Sequence, residues 1–403
     1  MSFHKKALYT DMTQNYLTPV EPMSHTRVKV RFRTGRGNVD RVTICYNGQK
    51  AIMRKDSFDD MFDYYAYHIR LTDEPIYYHF EVEAEDESCY YNRLGISKSE
   101  EARYDFILVP GFATPDWAKG AVVYQIYVDR FYNGDSSNDV VNDEYFYQGR
   151  PVKHAGHWND SVSRTDEGTF YGGDLQGIID KMDYLEGLGV EVLYLNPIFV
   201  SPSSHKYDIQ DYRHIDPHFG KIVNRKECGL KDGYEQYRGI TTDRENLEAS
   251  DRLFARLVEE AHKRGMKVIL DGVFYCCGSW HRFMDKEGIY ANGDTCSIKG
   301  AYQDSNSPYR EYFQYRNPQD ANSYENWWGY EAYAKFNYEN SRKLYEYILS
   351  VAVKWVSKPF CADGWRVDVA ASVGNNREWN HHFWQDFRKA VKAANPEALI
   401  IAE

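Results

Sequence analysis

Apolar and polar positions alternate with a period of two through the first part of the chain. Thr26 to Arg33, Val39 to Tyr46, Tyr64 to Leu71, Ile76 to Ala84 and Tyr104 to Val109 each place every second side chain on one face, as half-buried strands do. Gly35-Arg-Gly37, Asn47-Gly48 and Asp73-Glu-Pro75 supply turns between them. Residues 1–115 therefore predict an antiparallel β-sandwich of roughly immunoglobulin size. Pro110-Gly-Phe-Ala-Thr-Pro115 interrupts regular structure and marks a boundary.

Over residues 116–403 the period changes. Strands are predicted at Val122 to Arg130, Glu191 to Phe199, Lys267 to Phe274, around Arg366 and Asp368, and at Leu399 to Glu403. Helical spacing appears at Leu175 to Leu188, Asn246 to Arg264, Ser341 to Ser357 and Arg377 to Ala394. Strand then helix, repeated, implies parallel pairing with right-handed crossovers. Gly187-Leu-Gly189 and Gly265 stand where left-handed helix caps fall. Asp129-Arg130, Asn196-Pro197, Asp271, Arg366 with Asp368, and Glu403 all come late in their strands, which is the active face of a (β/α)8 barrel. The expected fold is an N-terminal β-sandwich followed by an incomplete (β/α)8 TIM barrel of about five strands, the remaining units lying outside this sequence. Lys221 to Glu245, rich in charge and glycine, reads as a surface loop.

With 403 residues, two or three domains are expected. The 35 Tyr and 9 Trp suit stacking surfaces as well as cores, so a carbohydrate is one candidate partner. A net charge of −11 argues against nucleic acid and against an anionic membrane as partners. The seven cysteines form no CxxC pair and are odd in number, which fits a reduced, intracellular protein. The N-terminus lacks a signal-type apolar run, and no stretch is long enough to span a bilayer. The chain reads as soluble and cytoplasmic, a secreted form with its signal removed being the other reading.

The chemistry gathers in Cys361-Ala-Asp-Gly-Trp-Arg-Val-Asp-Val-Ala370. Arg366 and Asp368 share one side of a strand, and burying such charges costs several kcal/mol unless they pair or meet a ligand. Parallel strands lie about 4.8 Å apart, so acids ending successive strands approach each other. Asp368 and Glu403 are such a pair. Glycoside hydrolysis needs two carboxyls, about 5 to 5.5 Å apart where stereochemistry is retained through a covalent intermediate. Asp368 beside Arg366 is expected to stay ionised as nucleophile, and Glu403 after Ile400-Ile-Ala402 to be raised by lost hydration and act as the acid. Asn133-Gly-Asp135-Ser-Ser-Asn138-Asp139 clusters hard oxygens that suit Ca²⁺ or a plain Asx-rich turn.

Val268-Ile-Leu-Asp-Gly-Val-Phe, Gly364-Trp-Arg-Val-Asp, Ile400-Ile-Ala-Glu403 and Gly172-Gly-Asp-Leu-Gln-Gly-Ile178 resemble, in order, the signature regions of the α-amylase superfamily, glycoside hydrolase family 13. The N-terminal sandwich is similar to the starch-binding domain of neopullulanases, cyclomaltodextrinases and maltogenic amylases. Asn246-Leu-Glu-Ala-Ser-Asp and Cys277-Gly-Ser-Trp also resemble amylopullulanases. The resemblance implies a retaining glycoside hydrolase cleaving α-1,4 bonds, with α-1,6 bonds as a further option, of maltodextrins, pullulan, cyclodextrins or starch. It implies Asp368 as nucleophile, Glu403 as acid/base and Arg366 as the residue fixing the nucleophile. Tyr207 and Asp208, in Ser204-His-Lys-Tyr-Asp208, would line the cleavage subsite with Tyr207 stacking on the sugar, and Asp271 would support Arg366. Asp174 and the Gly172 carbonyl would complete a structural calcium site with Asn133, Asp135, Asn138 and Asp139. A homodimer through the N-terminal domain is a further implication.

Two departures stand out. Tyr275 and Cys276 occupy the place of an Asn-His pair, and a thiol cannot give the imidazole hydrogen bond to the sugar. Cys276, Cys277 and His281 leave a zinc site as an alternative to buried free thiols. The family's third acid follows a later strand, so the 403 residues alone are expected to hydrolyse little. A non-catalytic α-glucan-binding homologue of the same fold is the alternative reading.

Overall fold

The computed structural model describes residues 3–85, 87–161, 166–226, 232–292 and 298–403; Cys228 and Cys296 lie outside them. The chain divides into two compact units, Met1–Thr114 and Pro115–Glu403.

The first unit is a two-sheet sandwich. One sheet orders Leu17–Thr18, Arg27–Gly35, Phe62–Arg70 and Arg54–Phe58; the other orders Gln49–Ile52, Arg41–Tyr46, Ile76–Ala84, Glu87–Asn92 and Gly95–Ser97, with Phe106–Leu108 also on Ile76–Ala84. Every second residue of Val28, Val30 and Phe32 is buried against Val42, Ile44, Tyr78, Phe80 and Val82. The alternating runs are thus strands, and short polar ones such as Arg54–Phe58, exposed throughout, escaped the pattern because they have no buried face to reveal.

The second unit is built on five parallel strands in sequential order: β1 (Val123–Ile126), β2 (Val192–Leu195), β3 (Lys267–Gly272), β4 (Gly364–Val367) and β5 (Leu399–Ala402). The helices are α1 (Leu175–Asp180), α2 (Met182–Gly187), α3 (Glu235–Thr241), α4 (Arg244–Lys263), α5 (Arg342–Val356) and α6 (Arg377–Ala394). Side-chain oxygens of Asp174, Asp243, Ser341 and Asn376 cap α1, α4, α5 and α6. Helix α4 buries Leu247, Phe254, Leu257, Val258 and Ala261, the three-and-four spacing that places one stripe on the sheet. Gly189 and Gly265 adopt φ of 80° and 75°, as their cap positions require.

Three local expectations are corrected. The first strand stops at Ile126 and turns into a 3₁₀ segment at Val128–Arg130, because Asp129 swings back to accept the Tyr171 and Gly172 N–H groups at 3.0 and 3.3 Å. The helix expected from Leu175 to Leu188 breaks at Lys181 (φ −101°, ψ 8°), whose ammonium lies 4.0 Å over the Tyr132 ring. The segment read as a surface loop from Lys221 to Glu245 contains α3, whose Tyr237, Arg238 and Ile240 are fully buried. Its charge disguised it, yet inside the fold Arg238 Nε meets the Ile289 carbonyl at 2.9 Å and Nη2 meets Asp232 at 2.5 Å, while Nη1 is buried without a partner.

Candidate active site

The ends of β3, β4 and β5 meet at Arg366. Register pairs Asp271 of β3 with Arg366 of β4 and Arg366 with Ile401 of β5, so the guanidinium faces carboxyls from both neighbours. Its Nη1 lies 2.9 and 3.0 Å from the Asp271 oxygens and 2.7 Å from Asp368 Oδ1. Nη2 lies 2.8 Å from Glu403 Oε1. One cation thus gathers three carboxyls, and Asp271 and Glu403 take further donors. Tyr194 and Tyr207 donate to Asp271 Oδ2 at 2.5 and 3.0 Å, and the Val369 N–H donates to Glu403 Oε2 at 2.9 Å.

The electrostatics reverse what adjacency suggested. Burial pushes the Asp368 carboxyl up to about 7, with the Asp271 charge adding to it and Arg366 opposing without prevailing. The Val369 N–H and Arg366 hold Glu403 below the usual range. The expectation of an ionised Asp368 counted its neighbour in sequence; in the fold that neighbour is shared by three acids. The expected rise of Glu403 fails because the Val369 N–H and the Arg366 guanidinium together outweigh its desolvation. Val369 takes φ 43° and ψ 46°, a left-handed conformation rare for a β-branched residue, directly after Asp368. That strain turns the chain so that its N–H meets Glu403.

The other proposed residues distribute differently. Tyr207 joins the Arg366 group through Asp271. Asp208 is buried apart from it, accepting from Ser201 Oγ at 2.8 Å, Tyr147 at 2.9 Å and also Ser203. Cys276 is fully buried, its thiol bonded to Tyr275 and pushed up by burial. His281 accepts the Phe283 N–H at 3.1 Å, is packed 4.4 Å from that ring, and is pushed down to about 3 by burial. Among the described residues no group of three or more His, Cys, Asp or Glu is placed to hold a metal.

The residues read as a calcium cluster do come together. Asn133 Nδ2 donates to Asp139 Oδ1 at 2.8 Å, and Asp174 accepts from the Gly134 and Asp135 N–H groups at 3.0 and 2.8 Å and from Asn138 at 3.1 Å. Gly172 (φ 80°) closes over them where a Cβ would stand 2.5 Å from both Asn133 and Asp139. Asp135 is paired with Lys221 at 2.5 Å. Asn138 Oδ1 is buried without a hydrogen-bond partner, and burial pushes Asp139 and Asp174 upward. The Asn138 oxygen is left open to a cation, while Asp174 and Asp135 are already taken by N–H donors and by Lys221.

Sequence reasoning missed Tyr194 and Val369. A tyrosine inside the apolar Val192–Leu195 run was a usable signal, since a phenol in a buried strand seeks a polar partner. Nothing local marked Val369.

Residues 125–228 and 248–403 match the family described as alpha amylase, catalytic domain, and residues 1–109 match the alpha amylase N-terminal Ig-like domain. The chain belongs to the α-amylase family. It is 33 % identical over 405 residues to neopullulanase 2 of Thermoactinomyces vulgaris, covering 95 % of this chain and 58 % of that protein. It is 32 % identical over 412 residues to a cyclomaltodextrinase of Thermoanaerobacter pseudethanolicus, covering 95 % and 59 %. Among solved structures, the type III pullulan hydrolase of Thermococcus kodakarensis aligns with TM-score 0.61 and 26 % identity over 98 % of this chain and 61 % of that one. The chain therefore spans less than two thirds of these relatives' length. Membership of the α-amylase family settles the architecture as a sandwich followed by barrel strands, and the family's enzymes are glycosidases. No helix among the described residues is long and apolar enough to cross a membrane.

Proposed function

We propose that the protein acts on α-glucans such as maltodextrins, cyclodextrins or pullulan as a retaining glycosidase, with Asp368 as nucleophile and Glu403 as acid/base. The observation that supports this most is the single guanidinium of Arg366 holding Asp271, Asp368 and Glu403 at the ends of three successive strands. In the first step an Asp368 oxygen bonds to the anomeric carbon while Glu403 gives its proton to the departing glycosidic oxygen. In the second, Glu403 takes a proton from water, whose oxygen displaces Asp368. This requires Asp368 charged and Glu403 protonated, opposite to the resting distribution, in which Asp368 hydrogen-bonds Glu403. A glucan bound against the pair displaces water from Glu403, which favours its protonated form. Tyr207 orients Asp271, and Asp271 with Arg366 keeps the attacking carboxyl in line.

Trapping with a fluorinated glucosyl reagent followed by peptide mass spectrometry is expected to place the label on Asp368. Asp368→Ala is expected to lower kcat by about 10⁴-fold or more. A label on another residue, or hydrolysis persisting in that variant, overturns the assignment.

We further infer a structural calcium ion held by Asn133, Asp135, Asn138, Asp139, Asp174 and the Gly172 carbonyl, supported by the orphaned Asn138 oxygen. When bound it would offset the buried negative charge of the loop following β1. A chelator is expected to lower the thermal midpoint and added Ca²⁺ to restore it; an unchanged midpoint removes the ion from the account.

A further inference from the structure

Tyr207 reaches the Arg366 group from residues 201–208, which form neither helix nor strand, so its place depends on what holds that loop. The Ser201 and Ser203 hydroxyls donate to Asp208, and Ser203 Oγ accepts the Lys206 N–H at 3.0 Å. Lys206 takes φ 63°, and the N–H that follows it, that of Tyr207, donates to His205 Nδ1 at 3.0 Å. The Tyr207 hydroxyl meanwhile donates to Asp271 Oδ2 at 3.0 Å. His205 thus fastens the main chain of the residue whose phenol touches the cluster.

That bond fixes the tautomer of the ring. Nδ1 also lies 3.2 Å from Ser203 Oγ, but the one Ser203 proton is spent on Asp208. Nδ1 is therefore a bare acceptor for the Tyr207 N–H, and the ring proton sits on Nε2. Glu167 faces that proton, with Oε2 3.5 Å from Nε2, near enough for charge attraction although not aligned as a hydrogen bond. Glu167 grips the same loop a second time, because its carbonyl accepts the Ser204 N–H at 2.9 Å. The Gln148 amide, donating to the Glu167 carboxylate at 3.0 Å, steadies it in turn.

We propose that His205 is a positioning residue for the nucleophile: with Nε2–H turned to Glu167 and Nδ1 accepting from Tyr207, it holds Tyr207 on Asp271, and through Asp271 and Arg366 it keeps Asp368 in line. This rests on the retaining-glycosidase reading and deepens it. One ring nitrogen serves the loop and the other faces Glu167, so His205 acts through Tyr207 rather than on the reacting atoms. Losing the Nδ1 acceptor frees the Tyr207 main chain, and a small displacement there is passed to Asp271 and on to the attacking oxygen.

The rate at which a fluorinated glucosyl reagent labels Asp368 in the full chain, read by mass spectrometry, tests this without needing turnover. His205→Ala is expected to slow labelling about tenfold, the effect of one lost hydrogen bond on alignment. His205→Asn is expected to label within about threefold of the parent, because an Asn side-chain oxygen accepts the N–H two residues on. His205→Gln, whose amide stands one carbon further out, is expected to label as slowly as His205→Ala. Folded His205→Ala or His205→Gln labelling within about twofold of the parent, whatever their thermal midpoints, overturns the positioning role, and so does His205→Asn labelling as slowly as they do. The Asn and Gln pair decides alone if His205→Ala fails to fold. An unlabelled Asp368 in the parent overturns the retaining-glycosidase reading and the positioning role with it.

Discussion

Two charge clusters in the barrel unit differ in the balance of signs. In the first, Lys206 lies 2.7 Å from Asp216, and His218 lies 3.1 Å from Asp216 and 2.9 Å from Glu144. Two buried cations face two buried acids, and Arg225 adds a third cation at the rim, 4.0 Å from Glu144. Burial opposes the charge on His218, but Glu144 and Asp216 overcome it and raise it to about 9. Burial likewise opposes ionisation of Asp216 and Glu144, and their cationic partners hold both below the usual range. The second cluster sets one cation, Arg366, against Asp271, Asp368 and Glu403, and there burial wins at Asp368. The balanced cluster is finished as a structure, since every charge is answered. In the unbalanced one Asp368 is raised and Glu403 lowered, a split of the kind acid–base chemistry uses. The first nonetheless serves the second: Lys206, at φ 63°, ties the Ser201 carbonyl to Asp216 and so fixes the turn that presents Tyr207.

The contrast is sharpest under mutation. Asp216→Asn leaves Lys206 and His218 short of negative charge in a dry site and is expected to cost about 3–5 kcal/mol in urea unfolding. A loss below about 1 kcal/mol would mean that the cluster is hydrated and the comparison void. Next comes pH. Because the folded His218 value lies above the unfolded one near 6.5, its contribution is fully present below about 6.5 and lost as pH rises through about 9, roughly 3 kcal/mol in all. Thermal midpoints that stay flat from pH 6 to 10 would contradict this.

Asp368→Asn should move the other way. A carboxyl raised to about 7 in the fold binds its proton more tightly there than in the unfolded chain, so stability falls as pH climbs from about 4 to 7. Removing that carboxyl is expected to stabilise the protein at pH 8 by on the order of 2 kcal/mol while abolishing hydrolysis. Destabilisation instead would show that Asp368 is a structural partner of Arg366. The smallest effect is expected from Tyr194→Phe, which takes one donor from Asp271 and costs about 1 kcal/mol in the same unfolding assay.

Much of the fold was legible because its periods are strict. The alternation from Arg27 to Gly35 and the stripe on α4 each follow one buried face, and burial is what the pattern records. Helix α3 was not legible, because Arg238 carries a charge that only a distant carbonyl and Asp232 make tolerable inside. Among site residues, Arg366, Asp368, Asp271 and Glu403 could be named from strand-end positions, and Tyr207 through its motif. The bonds of Tyr194 and Val369 to the cluster required the sheet register.

By itself the sequence determined the strand-and-helix alternation, the sandwich before it and the acids at the strand ends, since these follow from local spacing and from which residues bury. Tertiary structure alone decided how the proton is shared. A carboxyl's charge state depends on every group within a few ångströms, and the register of β3, β4 and β5 brings three acids to Arg366 where the sequence showed only one beside it.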